Sequence, residues 1–141
     1  LAGFLSQWWK SRKKVVKLYL WFSLAMTLFF LVYLHNLNNS SATYYLMCFL
    51  LGTGTGYWAI FVTIAAEQFG TNIRSTAANT IPNFVRGSVN IVVLLFGLFI
   101  GMGINDGVSA SVVGIIFIGL ALYSLSQLHE TFGKDLDYLE V

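Results

Sequence analysis

The chain has little charge. Only 10% of its 141 residues are Asp, Glu, Lys or Arg, against about 25% in ordinary soluble domains, so a fully solvated globular surface is excluded. Eight Lys and Arg against six Asp and Glu leave a formal charge of +2, too small to argue for nucleic acid or an acidic partner. The one cysteine, Cys48, stands inside an apolar run, which rules out an internal disulfide and leaves the redox compartment unread. His35 and His129 lie far apart and no metal-ligand spacing occurs, so neither a metal nor a cofactor is expected. No nucleophile stands in an evident pairing with a base. No catalytic residue is assigned, and an enzyme is not expected.

Hydrophobic residues, in contrast, make up 57% of the chain and aromatic ones 16%. The pairs Trp8 with Trp9 and Tyr44 with Tyr45 sit where aromatic belts form at membrane edges. A helix needs about 20 residues, at 1.5 Å each, to cross roughly 30 Å of hydrocarbon with its backbone bonded internally. Four stretches qualify: 15–34, 42–66, 83–103 and 108–128. The expected fold is therefore all-α and integral to a membrane, multi-pass, with lipid as a partner.

Charge placement predicts orientation. Lys10, Arg12, Lys13, Lys14 and Lys17 precede or open the first span, Arg74 and Arg86 fall between the second and third or just inside the third, and Lys134 follows the fourth. The opposite loops, HNLNNSSAT and MGINDG, carry no Lys or Arg. By the positive-inside rule both termini and the polar hinge 67–82 face the cytoplasm, with the tail 129–141 on the same side, in the cell (inner) membrane. Asn38-Asn39-Ser40 and Asn39-Ser40-Ser41 match a glycosylation acceptor pattern, and equally a polar turn. The start at Leu1, without a methionine, is expected to be the tail of an earlier segment.

Glycines punctuate two spans. Gly52 with Gly56, and Gly97 with Gly101, have the four-residue spacing that lets helix backbones approach closely. Gly54 extends the first pair to a G-x-G-x-G string, which is read as packing or bending, because a phosphate-cradling loop would need a preceding strand. Tyr57, Trp58 and Thr63 in the same span serve interhelical packing or line a pathway.

The segment Glu67 to Gly87 is the longest polar stretch between apolar runs. Thr71 is placed to cap a helix starting at Asn72, and Pro82 inside that helix is expected to kink it. Asn79, Asn83, Arg86 and Asn90 recur at spacings of four, three and four, so they share one face. In lipid that face is costly and should point to other helices or a wet cavity. Arg86 either reaches the headgroups or faces the cavity with Asn83 and Asn90 to attract an anionic group on a solute. No Asp or Glu lies within any span, so nothing here carries a proton across the membrane.

Three motifs carry a resemblance. Glu67-Gln-Phe-Gly-Thr-Asn-Ile-Arg74 is similar to the E-x-F-P-T-x-x-R loop after the tenth helix of major facilitator superfamily transporters. Gly3, Leu5, Ser6, Arg12 and Lys13 resemble the family's G-x-L-a-D-r-x-G-r-k motif, and the segment from His129 to Glu140 resembles its P-E-T-x-G-x-x-L-x-x-x-E signature after the twelfth helix. Gln7 replaces the first motif's aspartate, Lys10 its glycine, Gly70 the loop's proline and His129 the tail's proline. The resemblance implies the last four helices of a twelve-helix, two-bundle carrier that moves a small polar or organic solute by alternating access, its remaining helices being further partners. It also implies an inner gate to which Gln7, Arg12, Glu67 and Arg74 contribute, with Arg12, Glu67 and Arg74 in one charge network. Arg86, Asn83 and Asn90 are the substrate-binding candidates. A different class, a free-standing four-helix scaffold or subunit, predicts instead that the gene begins near Leu1.

Overall fold

A computed structural model describes residues 1–35 and 40–133 of the chain. Among them every regular element is helical: α1 (Ala2–Trp8), α2 (Arg12–His35), α3 (Ser41–Gly54), α4 (Trp58–Glu67), α5 (Arg74–Gly87), α6 (Val89–Gly101) and α7 (Asp106–Gln127). A single 3-10 turn, Thr55–Tyr57, joins α3 to α4. Four helical stretches are long and apolar enough to cross a membrane: Arg12–Tyr33, Ser41–Glu67, Arg74–Gly101 and Asp106–Gln127. The chain thus has the architecture of a multi-pass membrane protein. The acceptor-type asparagines Asn38 and Asn39, Lys134 and most of the tail motif lie outside the described residues.

The third span differs most from the sequence-based bounds. It begins at Arg74 rather than at residue 83 and runs for 28 residues, about 42 Å of helix at 1.5 Å per residue, which is longer than the hydrocarbon it would cross. Residues 74–82 of the expected hinge are therefore helix. Thr71 does not cap it: the N-cap position belongs to Ile73, without a side-chain cap bond, because a tight turn in which Ile73 N and Arg74 N both donate to the Gly70 carbonyl delays the start. Pro82 is buried within α5. The interruption falls later, at Gly87–Ser88, where the Ser88 hydroxyl donates to the Val85 carbonyl at 2.7 Å, the kind of Gly/Ser pair that loosens a helix.

The second span is also interrupted, and the glycine string explains how. Ser23 Oγ of α2 donates to the Gly54 carbonyl at 3.1 Å, and a Cβ at Gly54 would sit 2.8 Å from that oxygen. A Cβ at Gly56 would meet the Tyr19 ring at 3.4 Å. The two spans approach at the point where the backbone tightens into the 3-10 turn, whose geometry is poorer and so needs the outside bond. The expected pairs fare differently: around Gly52, Gly97 and Gly101 nothing lies within 4 Å. Their spacing is available to a helix outside these residues.

α2 is the centre of the bundle, flanked by α7 and α3, with α6 beside α7 and α5 beside α4. The buried core consists of Val15, Val16 and Leu20 from α2, Ile60 and Ile64 from α4, Leu125 from α7 and Ala2 from α1. All of these sit toward one end of the bundle, near the start of α2 and the ends of α4 and α7. α6, by contrast, buries no residue, and Val93, Leu94 and Leu98 stand fully outward. Apolar side chains left exposed on the faces away from α7 have lipid or further helices as their solvent.

Candidate functional site

The charged end of the bundle is built on helix termini. α2 starts after a tight turn at Trp9–Lys10, where Lys10 takes the left-handed backbone (φ 48°). The first amides of any helix have no partner within it. Here Ser11 Oγ accepts from Lys14 N at 3.3 Å, and the carboxylate of Glu130, 118 residues after Arg12, takes Arg12 N at 3.0 Å and Lys13 N at 3.3 Å. The Ser11 hydroxyl also donates to Glu130 Oε2. A carboxylate at this place gains hydrogen bonds and the positive end of the helix dipole together. Glu130 further accepts from Thr131 N (3.1 Å) and Phe132 N (3.2 Å), which folds the tail around it.

Burial would by itself raise the Glu130 pKa. The Ser11 hydroxyl and the backbone N–H groups of Arg12, Phe132 and Lys13 outweigh it and hold the carboxyl below its usual range. The clamp is reciprocal, since Lys13 Nζ donates to the carbonyls of Leu128 and, at 3.4 Å, of Ser126 at the end of α7. An acid from behind α7 thus caps α2, while a lysine from α2 caps α7. Gln68 Nε2 ties in α4 by donating to the His129 carbonyl at 3.1 Å.

Beside this clamp, Arg12 Nη1 meets Glu67 Oε1 at 2.7 Å, with side chains only 17% and 8% exposed. An exposed pair of this kind would be worth about 0 to 1 kcal/mol. Burial changes the scale: two desolvated charges gain little net energy as a pair, but removal of either strands the other at about 3 to 5 kcal/mol. Glu67 Oε2 and Arg12 Nε are buried without a hydrogen-bond partner among the described residues, so the pair is held by one strong contact. Arg74 folds back on its own turn, with Nε and Nη2 donating to the Phe69 carbonyl at 3.3 and 3.2 Å. Gln7 is exposed on α1, and its backbone carbonyl receives the Lys10 N–H at 3.3 Å.

A second polar region lies on α5 and α6. Asn79, Asn83, Arg86 and Asn90 are all exposed. Asn83 lines an open groove of about 620 Å³ together with Thr80, Phe84, Gly87, Ser88 and Ile91, whereas Arg86 and Asn90 occupy the adjoining strip of the same helical face. Arg86 is drawn toward α4: its guanidinium carbon lies 5.7 Å from the centre of the Trp58 ring, and that ring in turn packs against Phe61 at 5.3 Å.

Trp58 gives the depth of Arg86. It precedes Glu67 by nine residues of unbroken helix, about 13 Å at 1.5 Å per residue, and Arg86 follows Arg74 by twelve, about 18 Å. Gly101, at the far end of the same span, is fifteen residues away, about 22 Å. Arg86 therefore sits about three turns of helix inside the charged end, toward the charged side of a hydrocarbon layer of roughly 30 Å that ends at Gly101. A charge within a span is costly. The described acids do not relieve it: Glu67 is on Arg12, Glu130 caps α2, and Asp106 opens α7 at the opposite end of the bundle.

Sequence reasoning placed Glu67 and Arg12 in one network but assigned no role to Glu130, Ser11 or Lys13. The E-T-x-G sequence after α7 was the available signal, and its capping role required knowing which helix starts beside it. No family model, curated protein or solved structure matches the chain.

Proposed function

We propose that the chain is part of a secondary transporter of the major facilitator type, four helices of a larger two-bundle carrier that moves a small polar or organic solute by alternating access. The charged end of the bundle faces the cytoplasm in this reading, in line with the positive-inside distribution of Lys and Arg. The observation that carries it is the buried Arg12–Glu67 pair beside the Glu130 clamp. The two together join the start of α2, the end of α4 and the end of α7 in one polar cluster. A rocking carrier needs such a contact at its inner face, one that holds a helix arrangement in one state and can be exchanged in the other.

The under-bonded atoms suit exchange. Glu67 Oε2 and Arg12 Nε, buried and without partners among the described residues, can take up new bonds when the helices shift, so the cost of leaving the Arg12–Glu67 contact is partly recovered. The carboxylate that the family motif places at position 7 is a glutamine here; the acid at a helix start is instead Glu130, working within the bundle.

The test is uptake of labelled solutes by proteoliposomes containing the product of the full reading frame. Glu67→Arg and Arg12→Glu are each expected to lower the transport rate at least tenfold, and the combined swap to restore a substantial part of it. Single charge reversals that leave rates unchanged in a transporting protein would remove the gating role. Absence of uptake for every solute tried, in protein that is folded and inserted, would remove the transporter reading itself.

A further inference from the structure

We infer that Arg86 is the anchor for the negatively charged group of a small organic anion, with Asn83 beside it offering an amide to the same solute and Trp58 holding the guanidinium in place when the solute is absent. This deepens the transporter reading and rests on it for the site's access to water. Three observations combine. Arg86 lies about 13 to 18 Å of helix inside the charged end, and its stem turns toward Trp58 of α4 rather than toward that end. No described carboxylate neutralises it. It shares a helical face with Asn79, Asn83 and Asn90, and Asn83 also lines the groove with Thr80 and Ser88.

The contact with Trp58 explains how a cation persists there and what kind of ligand it accepts. A guanidinium over an indole face is attracted by the ring's negative quadrupole. Arg86 makes no side-chain hydrogen bond among the described residues, so its N–H fork can still be given to the two oxygens of a carboxylate or phosphate. The neighbouring amides and hydroxyls fit a solute that is polar beyond its charge, so hydroxylated carboxylates or phosphate esters are the class. A neutral sugar or polyol would leave the charge of Arg86 uncompensated.

Trp58 supplies the readout. An anion that engages Arg86 changes the charge over the indole, so its fluorescence should respond, against a background from Trp8, Trp9 and Trp21 that a Trp58→Phe protein isolates. The product of the full reading frame, purified in neutral phosphatidylcholine nanodiscs, is titrated with gluconate, glucuronate, citrate and glucose 6-phosphate, and with glucose and mannitol as uncharged counterparts. Thermal stability is followed in parallel. At least one of the anions is expected to give a saturable fluorescence change and a stabilisation that its uncharged counterpart does not. Arg86→Gln should weaken that binding at least tenfold and Arg86→Lys less. Trp58→Phe should abolish the optical signal while the stabilisation persists.

Several results would overturn the inference: no response to any of the four anions, equal binding to the native and Arg86→Gln proteins, or preference for the neutral solutes. A response that appears only when the nanodiscs contain phosphatidylglycerol would assign Arg86 to a lipid headgroup and also overturn it. The two proposals fail separately. Arg86-dependent binding of an anion by a protein that transports nothing would leave the site standing and remove the carrier, whereas uptake of a neutral solute unaffected by Arg86→Gln would do the reverse.

Discussion

The charged end of the bundle and the α5–α6 face solve opposite problems with the same kinds of residue. At the charged end, polar groups are brought together from four places in the chain and given partners, Glu130 on the α2 amides, Lys13 on the α7 carbonyls and Arg12 on Glu67, the last pair largely buried. On α5 and the start of α6, Asn79, Asn83, Arg86 and Asn90 are strung along one span and left outward. The first arrangement finds most of its partners among these helices, Glu67 Oε2 and Arg12 Nε excepted among the described residues. The second has a cation whose described neighbour is an aromatic face, and it requires something beyond them: another helix, water or a ligand. The difference separates a structural clamp from a surface that works by what it meets.

Mutations can break that contrast in graded ways. The largest effect is expected at Glu67→Ala or Arg12→Ala, each leaving a buried charge alone at a cost of about 3 to 5 kcal/mol. The double replacement Arg12→Met with Glu67→Leu should recover most of that loss in equilibrium unfolding from detergent. A double mutant no better than either single one would show that the pair's worth lies elsewhere. Gly54→Ala comes next, because its Cβ would press on Ser23 Oγ at 2.8 Å and overpacking of this kind costs about 1 to 3 kcal/mol. Ser23→Ala in the same protein should relieve it, as measured by thermal unfolding.

Glu130→Ala removes a cap and should cost about 0.5 to 2 kcal/mol. Its pH dependence has a definite sign. The Glu130 carboxyl is held below its ordinary value of 4.5 in the folded protein, so its contribution is fully present above that value and is lost as pH falls through the lower folded value. Glu130→Gln should flatten stability against pH in that acidic window, relative to the native protein; identical profiles would mean that the cap does not titrate there. The smallest effect is expected on the other face: Gly97→Ala, in a helix with open space around that position, should be neutral or stabilising by up to about 1 kcal/mol. A marked loss there would reveal a helix packed closely on α6 in the intact protein.

Much of the fold was legible because crossing a membrane is a matter of length and composition. Three of the four spans start and end within a few residues of the bounds read from apolar runs, and the third ends so but starts nine residues earlier, since residues 74–82 are polar and yet helical. Apolar content cannot report a helix that continues into water. α1 also escaped notice, although Leu1, Phe4, Leu5 and Trp8 have the three- and four-residue spacing of one helical face. At the site, Arg12 and Glu67 could be grouped by charge and side of the membrane. Whether they touch, and how deeply, could not.

The sequence by itself determined the solvent of this protein, the number of its spans and the concentration of its cations toward one side, because each follows from counting residues along one chain. Tertiary structure alone decided which acid caps which helix, since Glu130 and the start of α2 are more than a hundred residues apart and meet only when α7 returns alongside α2. It also decided the burial of the Arg12–Glu67 pair, which turns a weak surface attraction into a contact costly to sever. Finally, it gave Arg86 a depth, by setting it against Trp58, nine residues of helix above Glu67. A spacing of four, three and four puts residues on one face; only packing against a neighbouring helix says where in the membrane that face lies.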